Sequence, residues 1–400
     1  MKPAIRKEYN TAFTEIKYQQ MIADICEGIP GGIDFRLAET PVFIDAALRD
    51  QLLAAGKEIG DYITGSAFND HTQNAFKQVA TPPNENALPD CIVMDFAICS
   101  NEQGQLFPQL IELQGFPSLF GFETKHHHAF QNNFTLPKGY SPYLNNYNEK
   151  TYLEFLSTVI KGNENKHTVL LELFPHEQKT KIDFYITQQL LNIPIVCVSE
   201  LIVIENKLFY ERAGIQYPIE RIYNRVIWDE INKQTAAIQA KANLLLENLD
   251  VEWVTHPNHF YRISKYLLPL LKSKFVPNAY YLSELTELPW QLENYVLKPL
   301  FSFAGQGVII DVQASDLHSI QNPENWILQE KVSYAPALDT PTGRAKTEIR
   351  LFYFLDKTRN EYIATMNLAR ISKGKMIGVA YNANATWVGG SIAYFEQDKW

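Results

Sequence analysis

The chain reads as an α/β (α+β) protein built from more than one domain. Three stretches carry that reading. Residues 91–114 alternate as a β-hairpin, residues 168–198 run strand, helix, strand, and residues 294–312 run strand, glycine loop, strand. Four hundred residues with 46% hydrophobic and 20% charged content suffice to bury two or three such units around substantial cores.

Composition also excludes several function classes. No apolar run approaches the roughly 20 residues that span a bilayer, and the N-terminus lacks the apolar core of a signal peptide, so no membrane partner and a cytoplasmic setting are expected. A net charge of −9 argues against a nucleic-acid partner, which needs a clustered basic face. Cys26, Cys91, Cys99 and Cys197 are scattered without CxxC spacing, so neither a zinc site nor a disulfide framework is indicated.

In chain order, residues 12–65 are predicted mostly helical. Phe13, Ile16, Met21, Ile22 and Ile25 recur at helical spacing, residues 46–63 repeat the pattern, and Gly28, Pro30, Gly31 and Gly32 mark the turn between them. Residues 68–88 are polar, end at Pro82 and Pro83, and are predicted as loop. In the hairpin that follows, Asp95 lies on the first strand, and Glu112 and Gln114, two apart, share a face of the second. Two carboxylates and an amide oxygen make a hard, oxygen-rich site of the kind Mg²⁺ accepts when phosphates complete its shell. The plain alternative is a hairpin with polar solvent-facing positions, but the apolar neighbours of Glu112 argue that this acid is not simply solvated. His126, His127 and His128 are adjacent, cannot all face one site, and read as a solvated or helix-starting cluster.

The strand, helix, strand unit at 168–198 is Rossmann-like, yet no GxGxxG follows its first strand, which disfavours a dinucleotide oxidoreductase. Arg221 and Arg225 in this region are candidate carboxylate contacts or surface arginines. Residues 231–250 and 256–274 are predicted helical, the latter carrying Lys265. Residues 294–312 place Lys298 at a strand end before Gly305, Gln306 and Gly307, so that backbone N–H groups beside a compact positive charge can cradle an anion. The alternative there is an ordinary glycine hairpin. Residues 326–332 form a strand that can present the Lys331 and Val332 backbone to a base, with Gln329 and Glu330 beside it. Residues 334–346 read as a disordered loop, and two strands follow at 347–355 and 361–371, bearing Glu348, Arg350 and Arg370. The tail adds Asn382, Asn384, Gly389 and Gly390.

Taken as a set, this order resembles the ATP-grasp family: Lys265, Lys298 in VLKPL, the loop AGQGV, the strand ILQEKV, then EIR and a further arginine. Because the hairpin with Asp95, Glu112 and Gln114 stands first, the order is similar to the circularly permuted branch typified by the synthetase domain of glutathionylspermidine synthase. The phrase IELQGFPSLFGFE is similar to that branch's E-x-N-x-x-x-P-[ST] pattern, with Gln114 in place of Asn and Val93 where the branch carries arginine. The resemblance covers about residues 90–400. It implies a circularly permuted ATP-grasp fold with a Rossmann-like middle domain, divided at 1–149, 150–255 and 256–400. It also implies a carboxylate–amine ligase using ATP and Mg²⁺, or a degenerate relative that binds nucleotide or a peptide-like ligand without ligation. Its partners would be small carboxylates and amines of the amino acid, peptide or polyamine class. Lys265 and Lys298 would hold the α- and β-phosphates, Gly305, Gln306 and Gly307 would cover the β- and γ-phosphates, and Gln329, Glu330, Lys331 and Val332 would receive the nucleoside. Asp95, Glu112 and Gln114 would hold the metal, and Arg350 and Arg370 would stabilise the acyl phosphate.

Overall fold

In the computed structural model, residues 2–77, 79–163, 166–302, 305–374, 377, 382 and 385–398 are described; Asn384 lies outside them. The elements used below are β1 (Cys91–Ser100), β2 (Leu106–Gln114), α1 (Phe120–Asn133), β3 (Thr168–Glu172), α2 (Lys181–Leu191), β4 (Ile195–Cys197), β5 (Arg221–Asn224), β6 (Glu252–Trp253), β7 (Ala279–Tyr281), β8 (Tyr295–Pro299), β9 (Ile309–Ile310), β10 (Trp326–Glu330), β11 (Gly343–Asp356), β12 (Glu361–Ser372) and β13 (Gly389–Ser391).

The main sheet runs in the order β13–β12–β11–β1–β2, all antiparallel, so strands near the start and end of the chain pair side by side. Alternation along β1 gives the sheet two unlike faces. Ile92, Met94, Phe96 and Ile98 point into one core, covered by the helix Ala46–Thr64 through Leu48, Leu52, Ala55, Ile59 and Ile63. The opposite face begins apolar, with Val93 beside Phe352 and with Leu368 on the next strand, and packs against α1, whose Phe120 ring sits 5.0 Å from that of Phe352. One pleat further along β1 the same face turns charged, at Asp95 beside Arg350. The sheet therefore carries a core at one end of this face and a charged cluster at the other.

A second sheet, β6–β5–β3–β4, is parallel throughout, with α2 connecting β3 to β4. All five residues of β3 are buried, as a parallel strand covered on both faces requires. The third, β7–β10–β8–β9, is small and antiparallel. Its Leu297 and Leu328, with Val312 just beyond β9, close a separate core on one face. No helix among the described residues is long and apolar enough to cross a membrane.

Several expectations need correction. The helix predicted over 256–274 is two pieces, an α-helix at Pro257–Arg262 and a 3₁₀ helix at Lys265–Leu270. Ser264 sits extended between them, its Oγ accepting from the Tyr266 N–H at 3.1 Å, and Pro269 removes a donor from any continuation. The strand expected to begin at Val308 is shortened to β9, because Gly305 and Gly307 turn through φ of +74° and +73°. At Gly307 a Cβ would lie 2.9 Å from the Pro299 ring, so only glycine fits. Residues 334–346 are ordered: the strand Leu338–Thr340 pairs with the start of β11. Residues 68–88 hold a helix, Phe68–Thr72, and a 3₁₀ turn, Gln73–Phe76. The strand Val42–Ile44 was not anticipated; it pairs in parallel with Ala393–Glu396.

Candidate active site

The charged end of the main sheet faces the small sheet, and the predicted residues of both meet there. Asp95 and Glu112 are direct partners across β1 and β2, with Gln114 opposite Val93, so all three lie on one face. The ladder slips at this point: Phe96 pairs with Leu110, leaving Ile111 as a bulge. That bulge matters chemically, since the freed Ile111 carbonyl accepts from Lys298 Nζ at 3.1 Å and ties the two sheets together. Lys298 also donates to Gln329 Oε1 at 2.7 Å. Burial, and then the nearby Lys265, push the Lys298 ammonium down to about 8.

Lys265 is 5% exposed, donates to the Ser302 carbonyl at the mouth of the glycine loop, and lies 3.5 Å from Glu112. Its position depends on a close backbone approach. The Gly115 N–H donates to the Ile263 carbonyl at 2.9 Å, and a Cβ at Gly115 would fall 2.4 Å from the His259 carbonyl oxygen. Gly115→Ala should therefore cost about 1–3 kcal/mol in denaturant unfolding, through overpacking of the strand end that carries Glu112 against the segment that carries Lys265. Unchanged stability would mean this approach is not tight.

Asp95 is fully buried and is held by two guanidinium groups. Arg350 bonds it in fork fashion, Nε to Oδ1 at 2.6 Å and Nη2 to Oδ2 at 2.7 Å, and Arg370 Nη2 also donates to Oδ2. Burial opposes its charge, but Arg350 and Arg370 outweigh burial and hold the carboxyl below the usual range. Arg370 lies 3.0 Å from Glu348, whose carboxylate accepts from the Tyr334 hydroxyl. Burial, reinforced by Asp95 and Glu112, raises Glu348.

The metal that the resemblance implies meets an uneven donor set. Among the described residues, Glu112 has only the 3.5 Å contact with Lys265 and the Gln114 amide makes no hydrogen bond, so both are available. Asp95 is engaged by its two arginines, and no group of three or more His, Cys, Asp or Glu among the described residues is arranged to hold a metal ion. Two donors on one strand face suit a Mg²⁺ ion held chiefly by a triphosphate.

Glu330 and Lys331 have protein partners. Glu330 accepts from Asn278 Nδ2 at 3.0 Å, and Lys331 pairs with Asp311 at 2.6 Å. Val332 follows β10, and Gln306 is exposed in the glycine turn. Arg221 and Arg225 are structural. Arg221 donates to the Val159 and Ile160 carbonyls and pairs with Glu252, while Arg225 donates to the Phe116 and Pro117 carbonyls and lies over the Phe116 ring. Two of the three histidines are not solvated: His126 is buried against Glu123 at 3.1 Å and His127 bonds the Tyr394 hydroxyl at 2.8 Å, while His128 is partly exposed and meets Glu149 at 2.6 Å. Three separate partners leave no shared ligand position. Sequence reasoning missed Asp183, which is buried on α2 and accepts from the Leu119 and Phe122 N–H groups at 2.8 and 2.9 Å, capping α1 from another element. A concavity of about 670 Å³ lined by Lys57, Tyr353 and Arg359 lies at the far end of β11 and β12 and contains none of the predicted residues.

No model of a known protein family and no curated protein sequence matches the chain. Among solved structures it is similar to a glutathione synthetase-like effector from Globodera pallida in its apo form, with a TM-score of 0.57 over 96% of this chain and 97% of that one, at 10% identity. The chain has a glutathione synthetase-like fold. That is an ATP-grasp-type architecture, and at this identity the likeness concerns the fold alone.

Proposed function

We propose that the chain is an ATP-dependent carboxylate–amine ligase that forms an amide or peptide bond through an acyl phosphate. The supporting observation is the convergence of two cationic side chains, Lys265 and Lys298, with Glu112, Gln114 and the arginine pair where the two sheets meet. A substrate carboxylate oxygen attacks the γ-phosphorus of ATP, the bond to the bridging oxygen breaks, and ADP leaves with that electron pair. An amine nitrogen then attacks the acyl carbon, phosphate departs, and the amine loses a proton to solvent. Such chemistry asks the protein mainly for positioning and charge neutralisation. Lys265 and Lys298 hold the α- and β-phosphates, the turn at Gly305, Gln306 and Gly307 covers the β- and γ-phosphates, and Arg350 and Arg370 face the transferring group. Glu112 and Gln114 would hold Mg²⁺, which would supply neutralisation of the phosphate charge. Gln329, Glu330, Lys331 and Val332 receive the nucleoside. Substrates belong to the amino acid, peptide or polyamine class, in a cytoplasmic setting.

A second reading is a degenerate relative that binds nucleotide or a peptide-like ligand without ligation. Asp95 locked by two arginines and Gln114 in place of Asn favour it, and the similar protein is itself described as an effector. ADP and phosphate release with Mg²⁺-ATP, measured across pairs of carboxylates and amines, separates the two. Release stimulated by one pair and abolished in Glu112→Gln is expected for the ligase; no stimulation by any pair would sink it.

A further inference from the structure

Gln329 is 2% exposed, and only one end of its amide is satisfied. Lys298 Nζ donates to its Oε1 at 2.7 Å, and this fixes the orientation: an ammonium accepts nothing, so the amide oxygen must face it and Nε2 must face away. That Nε2 is buried and has no partner among the described residues. A buried amide donor left unpaired is costly and rare, which points to a ligand that completes it. The sheet register says where the donor lies. Gln329 pairs with Val296, and Ile327 with Lys298, so Gln329 and Lys298 share the face opposite to the core of Leu297 and Leu328. The strand's own backbone donors are used: the Glu330 N–H goes to the Asn278 carbonyl and the Lys331 N–H to the Asn294 carbonyl, each at 2.8 Å.

We infer that Gln329 Nε2 donates to N7 of a bound purine nucleotide, an inference that rests on the nucleotide site proposed above. Gln329 sits between Lys298, which takes phosphate, and residues 330–332, which take the nucleoside. In an anti nucleoside the C8–N7 edge lies on the side of the 5′-phosphates, so N7 is the base acceptor nearest Lys298. A neutral amide beside an ammonium leaves the phosphate oxygens to the ammonium and suits a neutral acceptor. N7 is present in adenine and guanine and absent from pyrimidines, so this contact selects purines without choosing between them.

The test compares ATP with 7-deaza-ATP, in which N7 is replaced by C–H, by calorimetric titration of the full chain with Mg²⁺ present. Wild type is expected to bind ATP about tenfold more tightly than the deaza analogue, since the analogue leaves the donor buried and unpaired. Gln329→Leu should bind both ligands equally. Equal affinities in wild type would overturn the inference while leaving the nucleotide site intact, and this arm needs no variant to fold. Binding of neither ligand would overturn the nucleotide reading and the inference with it.

Discussion

Asp95→Asn should lower the unfolding free energy by about 3 kcal/mol at pH 7, measured in denaturant without added metal or nucleotide. The carboxylate is fully buried and bonds both Arg350 and Arg370, so removing its charge takes from Arg350 the carboxylate it forks onto and leaves Arg370 to Glu348, in a low-dielectric setting. A carboxylate that served only as an open metal ligand would cost little when neutralised in the absence of metal. The pH dependence carries the same sign. Arg350 and Arg370 hold the Asp95 carboxyl below its ordinary range, so its stabilisation is present above that range and is lost as pH falls through the depressed value. Wild type should lose this contribution only in acid, and the Asn variant should lack it at every pH. Unchanged stability at pH 7 would mean that Asp95 does not hold the sheet together and is free to serve a metal.

That result bears on how much of the site the sequence could reveal. Asp95, Glu112 and Gln114 were legible as neighbours because a hairpin with period-two alternation fixes which side chains share a face. Arg350 and Arg370 were legible as candidates. Their engagement with Asp95 was not, because it depends on pairing strands separated by 255 residues or more, and no local pattern encodes that register. The bulge at Ile111 also leaves no mark in composition, yet it frees the carbonyl that anchors Lys298. The histidines failed for a related reason. Successive helical residues point in different directions, so each found its own partner, and burial pushes His126 and His127 down to about 3 and 4, well into the neutral form. Asp183 had no signal at all: an acid on a helix caps another helix only when the tertiary packing brings them together.

Lys298→Met offers the opposite trade. The lysine ammonium is half-buried beside Lys265 and pushed down to about 8, so below that pH the folded chain carries a charge that the unfolded chain solvates better. A lysine depressed in the folded state costs stability below the folded value and regains it as pH rises toward 10.5, the ordinary lysine value. The Met variant should therefore be at least as stable as wild type at pH 7, and its advantage should shrink above pH 8. The unpaired Ile111 carbonyl and Gln329 amide offset only part of this gain. Binding should move the other way. If Lys298 holds a phosphate, the Mg²⁺-ATP thermal shift of wild type should weaken as pH rises through about 8, and in the Met variant affinity should fall roughly 10- to 100-fold at pH 7, the range of a charge-assisted hydrogen bond. A variant that is less stable yet still shifts fully with Mg²⁺-ATP would make Lys298 a structural tie between the two sheets. A variant that is stable and silent to nucleotide would mark it as a charge held in place for a ligand.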